Sequence, residues 1–216
     1  MINNITFSID DGDPLDLKIA KILSDNNKKA IFYIPIKKRG SKKMANKEIR
    51  SLSNQFEIGG HTYNHIDLTK VSLEKARQEI IDGKNALEDI IGKKIRSFAF
   101  PYGHYNGQLI KLVKKVGFKN CRSGRIINFH EFNDNDFLQH PNFQIYPHKL
   151  STDVKHCLKM FDYYSLFRRL KQVKLEHLDL LQHLSFNKKI HIWFHSKDIE
   201  DYNLWKLFTK ISRRIL

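Results

Sequence analysis

Cysteine is scarce: Cys121 and Cys157 are the only two in 216 residues. They are far apart and in no CxxC or Cys/His spacing, which excludes a disulfide scaffold and a zinc-finger module and leaves two reduced thiols. Long apolar runs are missing as well, and no window approaches the roughly eighteen residues of a membrane span. Met1 to Asp10 offer no basic start, no apolar stretch of signal length and no small-residue cleavage site. With Met1 read as the start, a cytoplasmic chain is expected. Internal repeats and low-complexity linkers are absent, and a composition of 41% hydrophobic and 28% charged residues is that of a packed protein. One domain covering residues 1–216 is the expectation.

Acidic side chains are outnumbered, 23 Asp and Glu against 38 Lys and Arg, for a formal charge of +15. Such an excess suits a polyanionic partner or a well-solvated lysine surface equally. The lysines are spread along expected helices, as in Lys111 to Lys115 and Lys171 to Lys174, and the one dense cluster is Lys37, Lys38, Arg39, Lys42 and Lys43. No aromatic RNA-binding signature, helix-turn-helix pattern or zinc module accompanies them, so nucleic acid is not the expected partner.

What is there is a βαβ rhythm. Strands are expected at Ile5 to Ile9, Ala30 to Ile34, Glu57 to Gly60, Ser97 to Phe100, Phe118 to Arg122 and Ile190 to Phe194. Helices are expected at Leu17 to Leu23, Lys47 to Leu52, Leu73 to Ile91 between Ser72 as N-cap and Gly92 as stop, and Leu109 to Val116 before Gly117. Two more helices are expected within Asp153 to His183, and a last one at Tyr202 to Ile211. Between Gly124 and Ser151 the period is lost, and only a short strand near Phe143 to Tyr146 is expected. Strand-then-helix order implies a parallel sheet, as a barrel or an open doubly wound sheet, with ligands at the carboxyl ends of the strands.

Four polar segments fall at those ends. Ser8-Ile9-Asp10-Asp11-Gly12 closes the first strand with paired carboxylates and a turn glycine, although Asp-Asp-Gly alone is also an ordinary turn. His61-Thr62-Tyr63-Asn64-His65 carries two histidines four apart, which share a face on a helical turn and can reach one ion. Two unrelated loop histidines account for that pair equally well. With a carboxylate they make a three-ligand set that leaves positions open for water and substrate, as hydrolytic sites require. Pro101-Tyr102-Gly103 breaks an apolar strand, and a stiff turn explains it without function. Strand alternation places His191, Trp193 and His195 on one face.

In this order the segments resemble the polysaccharide deacetylase family (carbohydrate esterase family 4), which includes chitin, peptidoglycan and nodulation-factor deacetylases. Ser8 to Gly12 is similar to its Thr-Phe-Asp-Asp-Gly, His61 to His65 to its His-Ser/Thr-x-x-His, Pro101 to Gly103 to its Pro-Tyr-Gly, and Trp193 to His195 to its Leu-x-His. The resemblance implies a single-domain distorted barrel of seven or eight β/α units. It implies Asp10 as catalytic base, His195 as general acid, and Asp11, His61 and His65 as ligands to a divalent ion. Zinc suits two histidines and a carboxylate, and cobalt, nickel, manganese or iron fit the same donors. Pro101, Tyr102 (through its backbone N–H), Arg122 and Trp193 would border the substrate, an N-acetylated sugar or glycan precursor, nucleotide- or lipid-linked in a cytoplasmic member.

Two departures stand out. Ala99 occupies the position of the family arginine that steadies the catalytic aspartate; Arg96 and Arg122 are the candidates to replace it, and Arg122, at the end of the next strand, is favoured. The family's Asp- and Trp-bearing fourth motif is not recognisable between Gly124 and Ser151, where His140 and His148 are expected at the surface. The same constellation also suits hydrolysis of another amide or imide in a small metabolite. A decayed, non-catalytic sugar- or nucleic-acid-binding module is the remaining alternative.

Overall fold

The computed structural model describes residues 5–147, 149–170 and 189–213. Eight strands form one sheet: β1 (Ile5–Asp10), β2 (Lys29–Ile34), β3 (Glu57–Gly60), β4 (Ser97–Ala99), β5 (Asn120–Arg122), β6 (Leu138–Gln139), β7 (Phe143–Gln144) and β8 (Ile190–His195). Their order is β6-β5-β4-β3-β2-β1-β8-β7, and each neighbouring pair is parallel. The sheet curls into a distorted barrel of the expected β/α kind. Its seam, between β6 and β7, is crossed by the chain at Ile127, which bridges Phe143 antiparallel.

Around it lie α1 (Asp16–Asp25), α2 (Asn46–Leu52), α3 (Leu73–Ile91), α4 (Gly107–Lys115), α5 (Leu150–Lys159), α6 (Tyr163–Leu170), α7 (Ser196–Asp201) and α8 (Trp205–Arg213). α3 starts on Ser72, whose Oγ accepts the Lys75 N–H at 3.2 Å, and stops at Gly92 with φ +69°. Asn106 caps α4 in the same way.

Alternation along β1 and β8 sets the site's environment. Phe7 and Phe194 pack against Phe208 of α8, with ring centroids 6.3 and 5.1 Å apart. Each such ring contributes about 1.5–3 kcal/mol by burial. The intervening residues share the other face: Ser8 is in register with Trp193 and Asp10 with His195, and His191 Nε2 meets Ser8 Oγ at 2.8 Å. The apolar face of each strand meets helices, and the polar face turns into the barrel.

Three expectations change. The 124–151 stretch holds two strands rather than one, each of two residues, too short to show a period. The helix expected at Tyr202 to Ile211 is α8, which starts three residues later, and it is preceded by an unexpected short helix, α7; the two are separated at Asn203, whose φ of +53° is one that Asn tolerates better than most residues. The two helices expected within Asp153 to His183 begin as α5 and α6, parted at Phe161 and Asp162; residues 171–183 of that span lie outside the described residues.

Candidate metal and catalytic centre

β1 delivers Asp10 directly into the barrel, and the chain then turns sharply. Asp11 has φ +87° and Gly12 φ +66°. A Cβ on Gly12 would sit 2.8 Å from Ile34 Cγ2, so glycine is required at this bend. The turn carries the Asp11 carboxylate over the ends of β2 and β3.

His61 and His65 do not lie on a helical turn, contrary to the spacing argument. Thr62 and His65 have φ of +66° and +52°, and the segment doubles back as an irregular loop. α3 fixes it: Tyr63 N–H donates to Glu79 O at 3.0 Å, and Asn64 donates its backbone N–H and side-chain amide to the Glu79 carboxylate at 2.9 and 2.8 Å. At Gly83 a Cβ would come within 2.7 Å of the Thr62 carbonyl carbon, so the missing side chain lets the helix reach the loop. The imidazoles end 4.9 Å apart, centroid to centroid.

One ligand atom each from Asp11, His61 and His65 lies within 4.8 Å of the others. His61 Nδ1 is 2.8 Å from Ala99 O. A carbonyl only accepts, so Nδ1 carries the hydrogen and Nε2 turns a lone pair to the site, as in histidines oriented for a metal. Asp11 Oδ2 takes the Lys38 ammonium. Asp11 Oδ1 is buried without a hydrogen bond, although His65 Nε2 lies 3.0 Å away and His61 Nε2 3.8 Å away. The His61 lone pair and a buried carboxylate oxygen facing one point, with the second imidazole beside them, fit the donor set of a divalent ion. Burial pushes His61 down to about 4. Burial alone would raise Asp11, but His65, His195, His61 and Lys38 outweigh it and hold the carboxyl well below its usual range. Both groups therefore stand in their ligating forms at neutral pH.

Asp10 is paired differently. Arg122 Nη2 contacts both its carboxylate oxygens, and both residues are buried. Arg122 Nη1 donates to Ser123 O at 2.8 Å, and the Tyr33 and Trp193 rings lie 4.9 and 5.0 Å from its guanidinium carbon. Against the upward push of burial, Arg122, His61 and His195 lower the Asp10 carboxyl. Ala99 is in direct register with Arg122; the arginine absent from β4 is matched by one at the same level on β5. Arg96 is exposed.

His195 closes the group. Its Nδ1 meets Asp198 Oδ2 at 2.8 Å and its Nε2 points inward, 3.7 Å from Asp11 Oδ2. Burial would lower it, but Asp198, Asp11 and Asp10 raise it above the ordinary histidine value. Asp198 was not singled out in the sequence; a carboxylate three residues after a strand-end histidine, on the first turn of the next helix, is the signal that reveals it.

These residues line a cavity of about 450 Å³ together with Lys38, Tyr102, Gln144, Tyr146, Trp193 and Lys197. Tyr102 has φ +60°, its side chain is exposed, and its ring lies 5.0 Å from that of His65. Pro101 is buried and outside the cavity lining. His140 is not a surface residue: it is half-buried, 2.8 Å from Ser123 Oγ, and burial pushes it down to about 4. His148 lies outside the described residues. Of the seven non-glycine residues with positive φ among the described residues, Asp11, Thr62, His65 and Tyr102 belong to this centre. Backbone strain gathers at the site.

The chain matches the polysaccharide deacetylase family over residues 3–121, more than half its length. It belongs to that family. The match ends before β8, so Trp193 and His195 lie beyond it. Among curated relatives, the chain is 33% identical over 79 residues to a chitooligosaccharide deacetylase of Azorhizobium caulinodans, covering 34% of this chain and 38% of that protein. It is 28% identical over 116 residues to a peptidoglycan-N-acetylglucosamine deacetylase of Bacillus cereus, covering 53% and 42%. The chain thus spans less than half the length of these relatives.

Among solved structures, a family 4 carbohydrate esterase from Streptomyces lividans in complex with acetate aligns over 99% of this chain and 88% of its own, with a TM-score of 0.59 at 14% identity. A family 4 pseudoenzyme from Bacillus anthracis aligns over 98% and 63%, with a TM-score of 0.55 at 12% identity. The shared fold therefore does not by itself separate enzyme from pseudoenzyme; the side chains must.

Proposed function

We propose that this chain is a metal-dependent N-deacetylase, acting as a single catalytic domain on an N-acetylated sugar or glycan precursor. The observation that carries the reading is Asp11 Oδ1, buried without a hydrogen bond and faced by the Nε2 atoms of His61 and His65. Asp11, His61 and His65 would hold the ion, with zinc first and cobalt, nickel, manganese or iron as alternatives. A divalent ion there supplies Lewis acidity toward an acyl oxygen and acidifies a water.

The remaining steps belong to the chain. Asp10, ionised and held by Arg122, accepts the proton of the attacking water. The N–H of Tyr102, which has no backbone carbonyl partner among the described residues, donates to the developing oxyanion. His195, whose protonated form Asp198 favours, gives its proton to the leaving amine, which departs poorly without one. Tyr102 and Trp193 wall the sugar. The matched family, the deacetylase relatives and the complete Asp10, Asp11, His61, His65 and His195 set all support this reading over a decayed binding module.

The test is acetate release from free, nucleotide-linked and oligomeric N-acetylhexosamines, before and after chelation and metal re-addition. Metal-restored release is expected. Silence across the panel with metal bound would reject the substrate class in favour of another amide or imide.

A further inference from the structure

Three of the four buried residues of the α5–α6 pair are polar or charged. Along α6 the buried residues are Ser165 and Arg169: Ser165 Oγ accepts the Phe129 N–H at 2.9 Å, and Arg169 Nε donates to the buried Asp153 of α5 at 2.7 Å. Cys157 and Leu166 pack against the core, but other apolar side chains face outward. Tyr163 is 63% exposed and Leu170 47%, and across the interhelical turn Phe161 is 78% exposed and Leu158 49%. Single exposed apolar residues need no explanation, but these four on one short helix pair and its turn, two of them aromatic, mark a candidate interaction surface. Phe161 has φ +52°, a conformation that glycine or asparagine takes with less strain. A large apolar side chain thus occupies the most exposed and most strained point of the pair.

Within residues 149–170 the exposed charges have one sign. Asp153 and Asp162 are buried in ion pairs, with Arg169 and with Arg125 and His130, while the exposed charged residues of 149–170 are Lys149, Lys155 and Lys159. Phenylalanine and tyrosine at a tip, flanked along their own segment by lysines, are what the headgroup boundary of an acidic bilayer accommodates. Self-association across a two-fold axis would set these lysines against their own copies.

We propose that the α5–α6 tip is a peripheral docking surface for an anionic lipid bilayer. It stands on the flank of the catalytic cavity. Asp162 holds Arg125 at 2.5 Å, and the Arg125 carbonyl accepts the indole N–H of the cavity-wall Trp193 at 2.6 Å. No helix among the described residues is long and apolar enough to cross a membrane, so the contact is superficial.

The experiment is co-sedimentation of the full chain with vesicles of mixed phosphatidylcholine and phosphatidylglycerol, against phosphatidylcholine alone. Binding to the mixed vesicles is expected. It should weaken about tenfold or more in Phe161→Ser/Tyr163→Ser and fall similarly, with loss of salt dependence, in Lys155→Glu/Lys159→Glu. Phe161→Trp should retain binding and show blue-shifted emission on vesicles, and circular dichroism melts establish that each variant is folded. Failure of the wild type to bind mixed vesicles overturns the proposal. So does undiminished binding by the folded serine pair, or a concentration-dependent dimer that the serine pair abolishes. Sedimentation does not depend on turnover, so it stands apart from the deacetylase reading; acetate release from a soluble oligosaccharide should be unchanged in the serine pair.

Discussion

Asp10 and Asp11 are neighbours in the chain, yet one bend gives them different partners. Asp10 faces a guanidinium, which suits the proposed proton acceptor, and Asp11 faces two imidazoles, which suits the proposed ligand. Asp10→Asn and His195→Ala should each lower turnover by about 10²- to 10⁴-fold while metal, measured by titration calorimetry, still binds; near-wild-type rates in either would refute the roles. Arg122→Met should lower kcat by about 10- to 100-fold, because it leaves Asp10 buried, unpaired and free to drift. Arg122→Lys should recover little of it, since an ammonium lacks the planar fork that lies between Tyr33 and Trp193. An active methionine variant would remove Arg122 from the mechanism. At this scale much was legible: the carboxylate pair, both loop histidines and His195 are strand-end residues that the βα rhythm locates. The geometry joining His61 to His65 was not, because it depends on two left-handed residues and on Glu79 and Gly83 of a distant helix, and a four-residue spacing says nothing about either.

At the scale of elements, legibility followed length. Long periodic segments such as α3 declare themselves through cap, stripe and stop, whereas β6 and β7 exist because neighbours offer them a ladder, and two residues hold no pattern. The α5–α6 pair is held to the barrel by a polar clasp. Asp162 accepts from Arg125 Nη1, His130 and the Ser165 N–H. Burial would raise its carboxyl, but the Ser165 amide and hydroxyl and His130 outweigh that and lower it. A carboxyl lowered in the folded state contributes stability above its unfolded value of about 3.9 and loses it as the pH falls through the lowered value. Amide exchange in 150–170 should therefore accelerate below about pH 4, ahead of exchange in β1 and β8. Asp162→Asn should flatten that dependence. An unchanged acid profile in the variant would show that some other group fastens the pair.

Over the whole molecule, the centre is a junction of strands rather than a feature of one. Asp10 and Asp11 come from the end of β1, the two histidines follow β3, Arg122 ends β5 and His195 ends β8, so no single segment of the chain contains the site. An ion held by Asp11, His61 and His65 would tie the end of β1 to that of β3 across the intervening β2, and would do so only in the folded state. Binding of that kind stabilises the native chain by about 2.7 kcal/mol at a hundredfold excess over the dissociation constant. For a chain of this size that amounts to a rise in Tm of about 5–10 °C, read as the difference between melts with metal and with chelator. His65→Ala should abolish the rise, because it removes a ligand, and His195→Ala should keep it, because a proton donor is not one. That contrast separates the two histidine roles without an activity assay. Equal shifts in both variants would merge the roles, and no shift in the wild type with zinc, cobalt, nickel, manganese or iron would leave the buried Asp11 oxygen without the cation proposed for it.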